Sequence, residues 1–329
     1  MTRRALITGI TGQDGSYLAE LLLDKGYEVH GLVRRRPAPD RPNLAGIAER
    51  LVLHEGDVTD ERSVREAIGA AEPHEVYNLA AASFVPASWE QPVAGAECNA
   101  LGPLRLLDAI VASGCEARFF QASSSEIFGG SGGVPQDETT PLEPGSPYGA
   151  AKAYAHLLTG AYRRRHDLFA CSGILFNHES PRRPRRFVTR RVSAGAAAIK
   201  LGLAEELTLG NLDARRDWGY APEYMEAAWL MLQADEPDDF VIGSGRAHSV
   251  AELVATAFAE LGLDPERYVR VERDPSRPET DDFALADPGK AREWLGWAPR
   301  TGFEDLVRLM VRADLAPGDQ QSANLRKSP

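Results

Sequence analysis

Residues 4–10, Arg-Ala-Leu-Ile-Thr-Gly-Ile, read as a short buried strand, and the segment after them, 16–25, carries Leu18, Leu21 and Leu22 at helical spacing. Gly26 closes that helix. Strand-like runs recur at 27–33, 51–56, 74–80, 116–122 and 168–176, with helical patterns at 61–70, 93–113 and 146–165 between most of them. Such alternation builds a parallel sheet covered by helices on both faces, so the pattern predicts an α/β protein with a doubly wound Rossmann sheet. After about residue 177 the rhythm changes to helices with a few short strands, such as 207–210 and 240–242. The reading is therefore two domains: 1–176, to which later segments near 211–245 return, and a smaller α/β substrate-binding domain over 177–316. Residues 317–329 have no apolar periodicity and are expected to form a disordered tail. No internal repeat is apparent.

A length of 329 residues suits two closely packed domains, and 43% hydrophobic with 26% charged residues is ordinary for a soluble globular chain. No apolar run approaches a membrane span, and the N-terminus lacks the pattern of a secretory signal, so a cytoplasmic protein is expected. Cys98, Cys115 and Cys171 stand at no metal-ligand spacing and read as reduced packing residues, with no metal expected. A net charge of −11 argues against a nucleic-acid partner. Arginines nevertheless cluster at Arg34, Arg35 and Arg36, and again at Arg182, Arg183, Arg185, Arg186, Arg190 and Arg191. In an acidic chain these clusters are expected to meet phosphates of small ligands.

Two motifs carry chemistry. Gly9, Gly12 and Gly15, with Thr11, Gln13 and Asp14 between them, sit where a strand turns into a helix, the context of a dinucleotide fingerprint. Glycines let the backbone approach a pyrophosphate, which the helix N-terminus attracts. An NAD site would offer an acid at the end of the second strand, whereas Arg34 and Arg35 stand there, which favours NADP. Asp57 and Val58, ending the third strand, either meet the adenine edge or simply form a turn. Downstream, Tyr148 and Lys152 are four residues apart on one helix face. A nearby ammonium stabilises a phenolate and can bring a tyrosine, normally ionising near pH 10, into service as a base near neutrality.

Beyond these motifs the sequence resembles the extended short-chain dehydrogenase/reductase superfamily and, within it, the GDP-mannose 4,6-dehydratases. The likeness runs from residue 4 to about 315 and is carried by ALITGITGQDGSYLAE (5–20), QASSSE (121–126), GILFNHESPRR (173–183) and LGNLDARRDWG (209–219). It implies bound NADP, a GDP-mannose substrate and a homodimer or homotetramer in which the Arg34–Arg36 loop resembles one reaching a neighbour's cofactor. In the implied reaction Tyr148, tuned by Lys152 and assisted by Ser124, removes the 4-hydroxyl proton as hydride leaves C4 for NADP. Glu126 then takes the C5 proton and helps water leave from C6, after which hydride returns to C6. Glu126 distinguishes this chemistry from that of a plain reductase or epimerase. The resemblance also places Leu79, Ala80, Ala81, Ser83, His178 and Arg183 on the cofactor, with His178 at the nicotinamide half and Arg183 at a phosphate. Ser83, Ser125, Asn177, Arg191, Arg216 and Arg277 fall to the substrate, Arg216 and Arg277 on its diphosphate.

The sequence departs from the family at several positions. Ser124 replaces the usual threonine and keeps the hydroxyl; Ala82 stands where glutamine is usual, and Arg191 where lysine is common. Arg277-Pro278-Glu279-Thr280 displaces the carboxylate that would hold the nucleotide ribose. Dehydration of another nucleotide hexose or heptose, and a non-catalytic NADP-binding role, stand as alternatives at this level.

Overall fold

The computed structural model describes residues 2–35, 41–130, 134–272 and 283–316. In its first half the chain runs β1 (Arg4–Thr8), α1 (Gln13–Asp24), β2 (Glu28–Val33), β3 (Leu51–Glu55), α2 (Glu61–Ala71), β4 (Glu75–Asn78), α3 (Val85–Glu90), α4 (Pro92–Ala96), α5 (Gly102–Ser113), β5 (Arg118–Ser124), α6 (Pro147–His166) and β6 (Ala170–Leu175). Then follow β7 (Asn177–Glu179), α7 (Val188–Lys200), β8 (Leu207–Leu209), β9 (Arg215–Tyr220), α8 (Ala221–Met231), β10 (Phe240–Ile242) and β11 (Ala247–Ser249). The remaining elements are α9 (Val250–Glu260), α10 (Pro265–Tyr268), β12 (Val269–Val271), β13 (Phe283–Ala284), α11 (Gly289–Leu295) and α12 (Phe303–Leu315).

Seven parallel strands form the main sheet in the order β10-β6-β5-β4-β1-β2-β3. Every residue of β4 and β6 is buried, as expected where helices cover both faces. The strand order reverses between β1 and β4, and the crevice outside the carboxyl ends of such a pair is where doubly wound sheets bind ligands. A buried polar chain ties the central strands there: the Thr8 hydroxyl donates to Asn78 (2.6 Å), and the Asn78 amide donates to Gln121 (2.8 Å). A smaller layer contains β11-β9-β13, with β7 pairing to β9, and the separate pair β12-β8. Val192, Ala196, Leu253, Phe258, Val307 and Val311, from α7, α9 and α12, form its core.

Sequence and structure differ in places that have physical causes. Helix α1 starts at Gln13, not 16, so Gln13 and Asp14 occupy its first turn. The helix expected over 93–113 is broken into α4, a π-helical stretch Glu97–Leu101 and α5, where Pro103 brings no N–H to continue the ladder. Strands β7 and β9 escaped the periodicity reading because Asn177–Glu179 and Arg215–Tyr220 are short and polar. The return to the main sheet is made by α8, packed on α1, and by β10; residues 215–220 lie in the smaller sheet. The expected tail, 317–329, lies outside the described residues.

Candidate functional site

The turn after β1 is shaped by close backbone approach. Gly9 has φ +70, and a Cβ there would lie 2.7 Å from the Leu79 carbonyl carbon; one at Gly15 would lie 2.4 Å from the Gly9 oxygen. Gly12 caps α1 without a side chain, so the positive end of the helix is open to an anion. The turn is thereby pressed against Leu79 and Ala80 beyond β4, and the Ala80 N–H donates to Thr8 Oγ1 at 3.1 Å. Ala81 and Ser83 continue that loop, while both polar groups of Ala82's backbone are clamped by the Asn99 side chain (2.9 and 3.1 Å). At the ends of β2 and β3, Arg34 and Arg35 are exposed, and Arg35 lies 3.9 Å from Glu55. The Asp57 carboxylate accepts from the backbone and hydroxyl of Thr59, both at 2.9 Å, so its turn role is realised, and Val58 beside it is buried. This cradle, with cations at the end of β2, fits a dinucleotide bearing an extra phosphate.

The second cluster lies at the carboxyl end of β5. Ser124 ends that strand, Ser125 and Glu126 enter the following turn, and the Ser124 hydroxyl accepts the Glu126 N–H at 3.3 Å. Helix α6 begins beside them, with the Ser146 hydroxyl capping the Gly149 N–H at 3.0 Å. A Cβ at Gly149 would lie 2.4 Å from the Glu126 carbonyl, so only glycine lets the helix carrying Tyr148 approach this closely. Tyr148 is buried and hydrogen-bonds Ser124. Lys152 is also buried, with Nζ donating to the Ala122 carbonyl at 2.8 Å and lying 5.8 Å from the Tyr148 ring centre.

The electrostatics correct one expectation. The Tyr148 phenol is pushed above its ordinary value, chiefly by burial; the Ser124 hydrogen bond and Arg183 oppose that shift, and the charges of Glu126 and Asp14 reinforce it. Burial moves the Lys152 ammonium the other way, down to about 8, with Cys98 and Asp14 pulling against it. The lysine is bonded to a backbone carbonyl and not to the phenol, so within the protein alone the depressed phenol inferred from the four-residue spacing does not arise.

A third group joins the two clusters. His178 Nδ1 donates to the Phe176 carbonyl (2.7 Å) and Nε2 to the Asp14 carboxylate (3.0 Å). Both partners are acceptors, so the ring carries two protons. Burial would lower its pKa, but Asp14 raises it, and the pair conversely draws Asp14 down to about 2 against its own desolvation. The Gln13 amide donates to the His178 carbonyl (3.1 Å) and accepts from the Ser180 hydroxyl (2.8 Å), two ties between the glycine turn and residues 177–183. Arg183 lies over the Phe187 ring, 3.7 Å from its centre.

The arginine clusters divide. Arg182 pairs with Glu20 at 2.6 Å, and Arg190 is buried against Asp314, so these two are structural ion pairs and not the phosphate contacts expected of their cluster. Arg191 is exposed on α7, and Arg216 on β9 donates to the Arg215 carbonyl at 2.9 Å. Asn177 begins β7, paired with Trp218 of β9. Arg36, Arg277, Glu279 and Thr280 lie outside the described residues. Ser180 was missed, since nothing in an isolated serine signals a partner 167 positions away. The three cysteines are free thiols, and among the described residues no group of three or more His, Cys, Asp and Glu could hold a metal ion. No described helix is long and apolar enough to cross a membrane.

A glycine cradle at the β1/β4 reversal beside a Ser-Tyr-Lys cluster defines an NAD(P)-binding Rossmann protein of the epimerase/dehydratase class. The structure is similar to Thermus thermophilus UDP-glucose 4-epimerase in complex with NAD (TM-score 0.85, 29% identity, covering 96% of this chain and 100% of that one). It is also similar to dTDP-glucose 4,6-dehydratase of Streptomyces venezuelae (TM-score 0.84, 28% identity, 94% and 96% covered). Residues 6–310 match the family model described as GDP-mannose 4,6 dehydratase. Among curated relatives, GDP-mannose 4,6 dehydratase 2 of Arabidopsis thaliana is 49% identical, covering 94% of this chain and 86% of the relative. The human GDP-mannose 4,6 dehydratase is 47% identical, with 94% and 91% covered. This chain belongs to the GDP-mannose 4,6-dehydratase family.

Proposed function

We propose that the chain is a hydro-lyase that binds NADP and converts GDP-D-mannose to GDP-4-dehydro-6-deoxy-D-mannose. The observation that carries this reading is the packing of Glu126 against the helix of Tyr148 and Lys152, with Ser124 bonded to the phenol, in a chain of this family. A plain oxidoreductase has no use for the glutamate. The glycine turn and the α1 N-terminus receive the pyrophosphate, Arg34 and Arg35 the 2′-phosphate, and His178 and Arg183 the nicotinamide half and a phosphate. Bound NADP supplies the hydride acceptor for C4 and the hydride donor for C6.

The remaining steps belong to the protein. Tyr148, as the phenolate oriented by Ser124, takes the proton of the sugar 4-hydroxyl and becomes the phenol. Because burial raises that phenol in the protein alone, forming the phenolate would need the positive charge that a bound oxidised nicotinamide adds beside it. Lys152, fixed by the Ala122 carbonyl, supplies positive charge beside that phenol and by its pKa near 8 is poised to lose or hold a proton close to neutrality. The resulting C4 ketone makes the C5 proton acidic, and Glu126 removes it and returns a proton to the departing C6 hydroxyl. Ser83, Ser125, Asn177, Arg191, Arg216 and Arg277 orient the sugar and its diphosphate.

Residues 1–176, with the return of α8 and β10, serve the cofactor, and 177–316 serve the sugar nucleotide. The chain works in the cytoplasm as a homodimer or homotetramer; exposed Trp89, Val93, Tyr154 and Leu157, on α3, α4 and α6, supply apolar surface for assembly, and light scattering tests it. For the reaction itself, purified protein with GDP-mannose should give a product lighter by one water, with no net reduction of NADP. Dehydration of a different nucleotide sugar, with GDP-mannose untouched, would overturn the substrate assignment.

A further inference from the structure

Glu179 has no part in the reaction above, yet it is buried to 2% of its surface beside the site. Pairing of β7 with β9, Glu179 opposite Tyr220, fixes its backbone. Its Oε2 accepts the Thr189 hydroxyl at 2.5 Å and lies 3.1 Å from Arg183 Nε. An isolated carboxylate this deep would be strongly destabilising, and Arg183 and Thr189 offset that cost. Burial pushes this carboxyl up, Arg183, Thr189 and His178 pull it back, and Asp14 adds to the rise; Tyr224 also feels its charge. Arg183 is thus held on its face by Phe187, 3.7 Å away, and by the charge of Glu179, whose carboxylate lies 3.1 Å from Nε as an ion pair without accepting a hydrogen bond from it. Its charge is felt by Asp14 and Tyr148, so it lies near the site.

We infer that Glu179 is a positioning residue for cofactor binding: its charge holds the Arg183 guanidinium, stacked on Phe187, where it meets a cofactor phosphate and, through Thr189, ties that arginine to the first turn of α7. The inference rests on the assignment of Arg183 to the cofactor. Glu179→Gln keeps the size and an acceptor for Thr189 but removes the charge. By calorimetry, Glu179→Gln and Arg183→Met should each weaken NADP binding about tenfold, and the double variant should be no weaker than Arg183→Met alone. GDP affinity of the same proteins should change by less than about twofold, which general damage to the fold would not spare. Wild-type NADP affinity in Arg183→Met would show that the arginine assignment itself is wrong. If Arg183→Met weakens NADP but Glu179→Gln does not, or if the two losses multiply, Glu179 is a packing residue and the inference fails. Should Glu179→Gln not fold, Thr189→Val leaves both charges in place; a severalfold NADP loss that disappears in the Arg183→Met background supports the inference, and no loss overturns it.

Discussion

The two ends of the site are built on opposite plans. At the end of β5, Ser124, Tyr148 and Lys152 are buried, and strand, capped helix and carbonyl bonds fix their positions. At the end of β2, Arg34 and Arg35 stand in solvent, and the ion pair of Arg35 with Glu55 is 3.9 Å long with the arginine side chain 88% exposed. Proton transfer needs heavy atoms within hydrogen-bond reach, and a displacement of about 1 Å can cost a hundredfold in rate. Recognition of a phosphate needs charge within reach, which a long solvated side chain supplies from many conformations. On the roles proposed above, rigidity is concentrated where bonds would change, and tolerance where charge would merely be recognised.

Substitutions should break this contrast in order of size. Tyr148→Phe deletes one oxygen in the rigid half and should lower kcat by about a thousandfold or more while NADP still binds; activity within tenfold of wild type would remove the phenol from the chemistry. Glu126→Gln should lower kcat by about 10²–10⁴-fold and accumulate reduced cofactor with a 4-keto sugar, visible by absorbance near 340 nm. Unimpaired dehydration by that variant would count against the glutamate.

Asp14 bridges the two plans, and its effect should be intermediate. Its folded pKa near 2, against an ordinary 3.8, contributes stability that is complete above about pH 4 and is lost as pH falls toward 2. Asp14→Asn should therefore cost about 2 kcal/mol by urea unfolding at pH 7, with the gap from wild type closing below pH 4. A gap that does not depend on pH would mean that the Asp14–His178 pair is not its source. In the exposed half, replacing Arg34 and Arg35 together by alanine should weaken NADP about tenfold, leave NAD binding alone, and change stability by less than about 0.5 kcal/mol. Equal weakening of both cofactors would mean that these arginines do not read the 2′-phosphate.

The main sheet was legible because most of its strands carry apolar residues and inner strands such as β6 are buried throughout, edge strand β3 being only partly so, and the glycine turn because backbone clearance at Gly9 and Gly15 leaves a mark in composition. Placement of Ser124, Glu126 and Tyr148 near one another came from motif resemblance; periodicity could not have supplied it. What stayed hidden was pairing across long separations. Nothing local marks Arg190 as the partner of Asp314, or Lys152 as bonded to a carbonyl. Polar β7 and β9 were invisible for the same reason: hydrogen bonds between distant segments specify them, and hydrophobic period does not.

Strand β10 completes the main sheet only after the chain has left it at Leu175 and laid down β7, α7, β8 and β9. During synthesis the edge of β6 must wait, with its amides and carbonyls unpaired, until Phe240–Ile242 emerges. Unpaired strand edges and late, sequence-distant contacts slow folding and invite association between nascent chains. The same excursion makes the two layers one folding problem: a fragment stopping at residue 176 would carry a permanently open edge, and the tolerant sites for insertion lie in loops away from the crossing between them.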